Sequence, residues 1–218
     1  MPPPPQTVSA LRSLLAVRFP ERPRRPCGGV AAAVRPIDEA LGGGLPAGRL
    51  TELVSAVPSG GGQTVVARLL EATQAARQRM ALIDGADGFA PEAVPAWMLR
   101  HLVWVRCRAP EEAFAAADIL VRDGNYAAVV LDLRGCAERA LRRSPACAWY
   151  RLQRAAEGAA AAVLVQTTRP LVPAVPWRLV LDAPLSLADA GAPRDAVADR
   201  LAVRTERSHA PAAGLLAG

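Results

Sequence analysis

The sequence predicts an α/β fold: a mostly parallel central sheet flanked by helices, with an antiparallel C-terminal edge. Three observations lead there. Short runs rich in Val, Leu and Ala recur along the chain, apolar throughout rather than alternating with polar residues, as in strands buried on both faces. Segments of helical period separate most of them, which implies parallel strands joined by crossover helices. The last two apolar runs follow each other without a helical segment between them, which predicts a reversal of direction at the edge.

Taken in order, residues 1–29 open with a proline run. Val8, Leu11, Leu14 and Leu15 follow at helical spacing, and a basic stretch over Pro20–Pro26 comes next. They read as a docking helix over Val8–Val17 and a Pro/Arg-rich linker. The core domain spans 30–212, and 213–218 form a frayed tail. Within the core, strands are expected at Leu50–Ser55, Met80–Asp84, Leu102–Arg106, Ala127–Leu133, Ala161–Gln166, Arg178–Asp182 and Arg200–Thr205. Helices are expected at Ile37–Leu41, Thr64–Arg79, Ala90–Leu99, Pro110–Asp123 and Pro145–Gly158. The glycines of Gly42–Ala47 superficially match a dinucleotide fingerprint. They lie after a helix and before a strand, the reverse of what that mechanism needs, so they read as a turn.

Composition narrows the class. Of 218 residues, 51% are hydrophobic but only 4% aromatic, so the core must be built from Ala, Val and Leu. A net charge of +6 favours polyanionic partners. Cys27, Cys107, Cys136 and Cys147 are scattered and there are 2 histidines, a pattern of neither a zinc site nor a disulfide framework. Met1–Gln6 lack the features of a secretion signal, and no segment approaches the ~20 apolar residues of a membrane span. A cytoplasmic protein without membrane contact is expected.

One segment carries a chemical signal. Strand Leu50–Ser55 runs into Ser59, Gly60, Gly61 and Gly62, and a helix begins near Thr64: the layout of a phosphate-binding loop. The lysine that such a loop places on the β- and γ-phosphates is replaced by Gln63. All 26 Lys+Arg positions are arginine, so no lysine can substitute from elsewhere in the chain. Losing a charge-assisted hydrogen bond costs roughly 1.5–3 kcal/mol, or about one to two decades in affinity. The cost to phosphoryl transfer is larger, because positive charge matters most in the transition state. Downstream, Asp132 ends an apolar strand where a carboxylate would sit beside a magnesium-bound water. Gln166 ends the next strand where a side chain could sense a nucleotide. Ser59, Gly60, Gly61, Gly62, Gln63, Thr64, Asp132 and Gln166 therefore form a candidate, degenerate nucleotide site. A purely structural glycine turn accounts for the same residues.

The run Ile37–Leu53, with Asp38, Ala40-Leu41, Gly44-Leu45-Pro46, Gly48-Arg49 and Glu52, resembles the lead-in to the phosphate loop of RecA recombinases. Weaker matches continue in order at Ala81–Asp84, Val129–Asp132, Val163–Gln166, and Arg200–Val203 with Pro211. The resemblance covers roughly 30–212 and lacks RecA's C-terminal domain. In that shortness the chain is similar to the ImuA family, RecA-like accessory proteins of the inducible-mutagenesis cassette that were earlier described as SulA-like.

The resemblance implies a RecA-like core acting as a non-catalytic accessory protein in SOS-induced translesion DNA synthesis. It implies a Y-family polymerase-like partner of the ImuB type, with RecA itself and DNA as further partners. Carried over residue by residue, RecA's catalytic glutamate falls at Ala86, with Asp87 one place off. The tyrosine that stacks on adenine falls near Ala93, and the basic pair acting across the filament falls at Thr205 and Arg207. No cofactor is therefore expected, ATP with magnesium being at most residual. RecA's DNA-binding loops correspond to the stretches after Asp132 and Gln166. Those stretches contain Arg134, Arg139, Arg142, Arg143, Arg169 and Arg178 as candidate phosphate contacts, with Trp149 or Trp177 as stacking surfaces. Two other functions stay open: a slow DNA-dependent ATPase in which an arginine replaces the lysine, and a SulA-like inhibitor of cell division.

Overall fold

The structure is a computed structural model that describes residues 28–206. The Val8–Val17 helix, the linker through residue 27, Arg207, Pro211 and the tail 213–218 lie outside the described residues.

Seven strands form one sheet: β1 Leu50–Ser55, β2 Met80–Asp84, β3 Leu102–Arg106, β4 Ala128–Asp132, β5 Ala162–Thr167, β6 Trp177–Leu181 and β7 Val203–Glu206. Their order across the sheet is β3-β2-β4-β5-β1-β6-β7. All neighbours are parallel except β6 and β7, which pair antiparallel. The helices are α1 Arg35–Leu41, α2 Gly62–Ala75, α3 Ala96–Leu99, α4 Pro110–Asp123, α5 Glu138–Arg143, α6 Ala146–Gly158 and α7 Arg194–Asp199.

The apolar runs follow from burial on both faces. In β2, Met80 and Leu82 join the core layer that contains Val65, Leu69 and Leu70 of α2, whereas Ala81 and Ile83 join the opposite layer with Phe114 and Ala117 of α4 and Leu152 of α6. The two-residue period thus sends alternate side chains into two separate cores, so neither set can be polar. Edge strands β3 and β7 are only partly buried. In α4, Ala113, Phe114, Ala117 and Val121 line the buried stripe, and Gly124 closes the helix in the left-handed region at φ 71. Phe114 meets Trp149 edge to face at 4.6 Å between ring centroids, locking α4 to α6.

Gly42–Ala47 is the expected turn: Gly42 caps α1 at φ 72, and the segment returns to pair Leu45 with Val30. Several elements differ from expectation. Ala90–Leu99 is not one helix but a 3-10 turn at Pro91–Ala93 followed by the single turn of α3. Pro95 removes an amide donor and forces Val94 into extended backbone, at φ -123 and ψ 144. The stretch after β4, expected as loop, contains α5. Between β6 and β7 lie a 3-10 turn at Leu187–Gly191 and α7, so the antiparallel edge forms without the direct succession that predicted it. Among the described residues no helix is long and apolar enough to cross a membrane.

Candidate phosphate-loop site

Parallel strands bring their carboxyl ends to one side of the sheet, where ligands of open α/β sheets bind. The register sets Asp84 beside Asp132, Asp132 beside Gln166, and Gln166 beside Leu53, two residues before Ser55. Asp84, Asp132 and Gln166, far apart in the chain, thereby line one row of strand ends.

At the end of β1 the chain turns through Val57–Gly61. Ser59 takes φ 59, and Gly61 caps α2 at φ 94, a conformation that an L side chain resists. Val65 N–H bonds to Gly61 O as the first helical bond, leaving the N–H groups of Gly62, Gln63 and Thr64 at the helix start without a helical acceptor. A cavity of about 570 Å³ opens above them, lined by Ser55 through Thr64 together with Arg134, Thr168 and Leu185. Gln63 is exposed and donates from Nε2 to Gly88 O at 3.0 Å, so its side chain bridges to the loop after β2. Gln166 is fully buried and donates from Nε2 to Gly62 O at 3.1 Å, which ties β5 to the glycine turn.

Asp132 is not free. Arg134, two residues on, folds back over it: its N–H and Nε reach Oδ1 at 3.1 and 2.9 Å, and Nη2 reaches Oδ2 at 2.5 Å. Both side chains are largely buried, at 18% and 8% exposure for Arg134 and Asp132. This forked geometry uses both carboxylate oxygens. The third guanidinium nitrogen, Nη1, lies against the glycine turn. A Cβ added to Gly62 would collide with it, and would sit 2.8 Å from Ser55 Oγ.

The loop after β2 is organised by Asp84, whose buried carboxylate accepts from Gly88 and Phe89 N–H at 2.9 Å each and from Trp104 Nε1 at 3.3 Å. Ala86, where the resemblance expects a catalytic glutamate, has only a methyl side chain, and its N–H reaches Asp84 Oδ1 at 3.3 Å. Asp87 turns outward to the Arg106 guanidinium, which holds its carboxyl below the ordinary aspartate range. Ala93 lies in the 3-10 turn and Thr205 in β7. Among the described residues no three His, Cys, Asp or Glu side chains gather as they would around a metal ion. With a glutamine in the lysine slot and Asp132 enclosed by Arg134, this constellation does not fit ATP with magnesium.

The candidate DNA-contacting arginines separate into two groups. Arg178 is held at Glu52, Nε to Oε2 at 2.6 Å, and is 18% exposed, so its charge is directed inward. Arg142 and Arg169 both bind Glu138, and together they hold its carboxyl below the ordinary glutamate range. Arg139 and Arg143 on α5 are exposed and form no ion pair among the described residues. Trp149 is buried in the α4–α6 core and offers no open face, whereas Trp177 is half-buried on β6.

Sequence reasoning missed Glu52 as an organiser. Wholly buried in β1, its Oε1 accepts from Leu171 and Val172 N–H at 2.6 and 3.1 Å and from Thr167 Oγ1 at 3.2 Å. An acid in the middle of a short strand, with an arginine at the start of another, is the signal that could have revealed it. Ser55 was also missed as a lining residue; its place directly before the turn was the available clue. The chain matches no protein-family model and no curated protein sequence.

Proposed function

We propose that this chain is a non-catalytic, RecA-like accessory module of SOS-induced translesion DNA synthesis, acting in the cytoplasm through a Y-family polymerase-like partner. The observation that carries the non-catalytic part is the Asp132–Arg134 pair. The carboxylate that would face magnesium accepts three bonds from one arginine. Beside it, Gln63 is turned to Gly88, and Ala86 supplies no base. Phosphoryl transfer depends on a coordinated metal ion and an oriented nucleophile, and the bonding of Asp132 and the methyl side chain of Ala86 argue against both. The accessory role rests on the resemblance of Ile37–Leu53 and on the weaker matches that follow it in order. Exposed Arg139 and Arg143 support DNA as a further contact, and RecA is a further partner by the same resemblance.

The test combines two measurements on the full chain. ATP hydrolysis, with and without single-stranded DNA, is expected to stay at the no-enzyme background. Co-expression with the Y-family-like protein of the same genome is expected to give a complex that survives nuclease treatment. Hydrolysis that disappears in Asp132→Asn overturns the non-catalytic reading. Association with a tubulin-like division protein instead of a polymerase homologue overturns the accessory role.

A further inference from the structure

We infer that the Gly60–Thr64 turn is an anion site for a phosphate chain bound without a divalent cation, and that Arg134 supplies its cation from the neighbouring strand end. The assignment goes beyond the accessory reading and does not need it.

Four observations converge. Arg134 engages Asp132 through Nε and Nη2, which leaves Nη1 directed at the glycine turn and lining its cavity. Ser55 is 8% exposed, lines the same cavity, and its Oγ has no hydrogen-bond partner. A buried hydroxyl left unpaired is costly, and one aimed into a cavity is a place where a ligand atom can bind. The N–H groups of Gly62, Gln63 and Thr64 open a helix of 14 residues with no acidic side chain in its first turn, so donors and dipole both favour negative charge. At about 570 Å³ the cavity falls within the range of small-molecule sites, roughly 300–1,000 Å³.

Charge balance matters, because Asp132 neutralises Arg134 in part. Arg194, whose Nη2 donates to Ala93 O, adds positive charge beside the turn rather than in its cavity. It lines the two adjoining cavities on the Thr64 side and makes no ion pair among the described residues. One guanidinium, one hydroxyl and three amides thus border the cavity over the turn, with the Asp132 carboxylate already bound, while Arg194 and Asp189 lie on an adjoining cavity. The same carboxylate explains why the site excludes magnesium: a metal would have to displace three hydrogen bonds to reach it. The chemistry recognised is a di- or triphosphate chain, either as inorganic pyrophosphate or as part of a nucleotide.

Calorimetry on the full-length protein tests this with pyrophosphate and ADP as probes, each in EDTA and in excess magnesium. Binding is expected in EDTA, with magnesium leaving it unchanged or weaker. Arg134→Ala should weaken binding about 10- to 100-fold, Arg134→Lys should recover part of that, and Ser55→Ala should weaken it by a smaller factor. Thermal unfolding of each variant establishes that it is folded. ADP binding tighter than pyrophosphate assigns a nucleotide, and equal binding assigns the phosphate chain alone; either supports the site. No binding of either probe at millimolar concentration, binding that requires magnesium, or a folded Arg134→Ala that binds like wild type each overturns it. Because the magnesium comparison uses the wild-type chain, a misfolded variant does not rescue the idea. Absence of a polymerase-like partner would leave these results untouched.

Discussion

Glu52 and Arg178 form an ion pair across adjacent strands β1 and β6, and the acid is fully buried while the arginine retains 18% exposure. Arg178 also donates from Nη2 to Val172 O at 2.9 Å, so both partners hold the segment after β5. The two residues clamp a connection that contains little secondary structure of its own. Removing Glu52 strands the Leu171 and Val172 amides as well as the arginine. Glu52→Ala should destabilise the fold by about 3 kcal/mol or more, read as a lower urea midpoint. Limited proteolysis should then cut within 168–176, a stretch expected to resist in the wild type.

Gly62 is required for space rather than for backbone freedom, since its φ lies outside the left-handed region. Gly62→Ala drives a methyl into Arg134 Nη1 and Ser55 Oγ, an overpacking that costs about 1–3 kcal/mol. Combining it with Arg134→Ala should cost less than the sum of the two single changes, because the double variant removes the collision with Nη1 and leaves only that with Ser55 Oγ. Urea denaturation of the four proteins in a double-mutant cycle measures the coupling. Strict additivity would place Arg134 away from the turn.

Restoring the missing lysine should not restore an engine. Gln63→Lys supplies a cation at the turn, yet Asp132 stays bound by Arg134 and Ala86 still offers no base. The variant is expected to bind pyrophosphate more tightly while its ATP hydrolysis stays at background. Turnover clearly above background in a coupled phosphate-release assay would show that the lysine alone was lacking.

Asp118 on α4 receives Arg122 at 3.0 Å and Arg151 of α6 at 3.3 Å. The bond from Arg122 is the main reason its carboxyl sits below the ordinary aspartate range. A folded-state value below the unfolded one adds stability above the unfolded value, about 3.9, and that stability is lost as pH falls through the folded value. Asp118→Asn should therefore melt slightly below wild type at pH 6–8. The gap should be no more than about 2 °C for an exposed pair in a chain of this size. It should close as pH falls through the folded-state value. A gap that persists unchanged at pH 2.5 would rule out the ion pairs as its source.

The strands were legible because burial on both faces leaves unbroken apolar runs, and their order along the chain followed directly. What escaped was short or depended on spatial order. Helices α5 and α7 have 6 residues each and, with buried side chains confined to Leu141 in one and Val197 and Ala198 in the other, no sustained period to read. The break at Pro95 was visible as a residue, but the apolar positions around it suggested one continuous helix. In the site, the glycine turn, Asp132 and Gln166 could be read from motif and position. Arg134 could not be read as part of that turn. Its role depends on β4, β5 and β1 lying side by side and on a side chain that folds back two residues, neither of which is a feature of spacing. In the sequence Glu52 is one residue of the Ile37–Leu53 run, while its buried bonds to Leu171, Val172 and Arg178 emerge only when β6 is placed beside β1.

The sheet order also constrains how the chain matures on the ribosome. β1 pairs only with β5 and β6, which are made more than a hundred residues later. Until Ala162–Leu181 have emerged, β1 is an extended ribbon with two unsatisfied edges, able to recruit any passing strand. A nascent chain stalled or truncated before β5 would therefore carry the complete glycine motif in an aggregation-prone state. The full protein shields that ribbon only at the end of its synthesis.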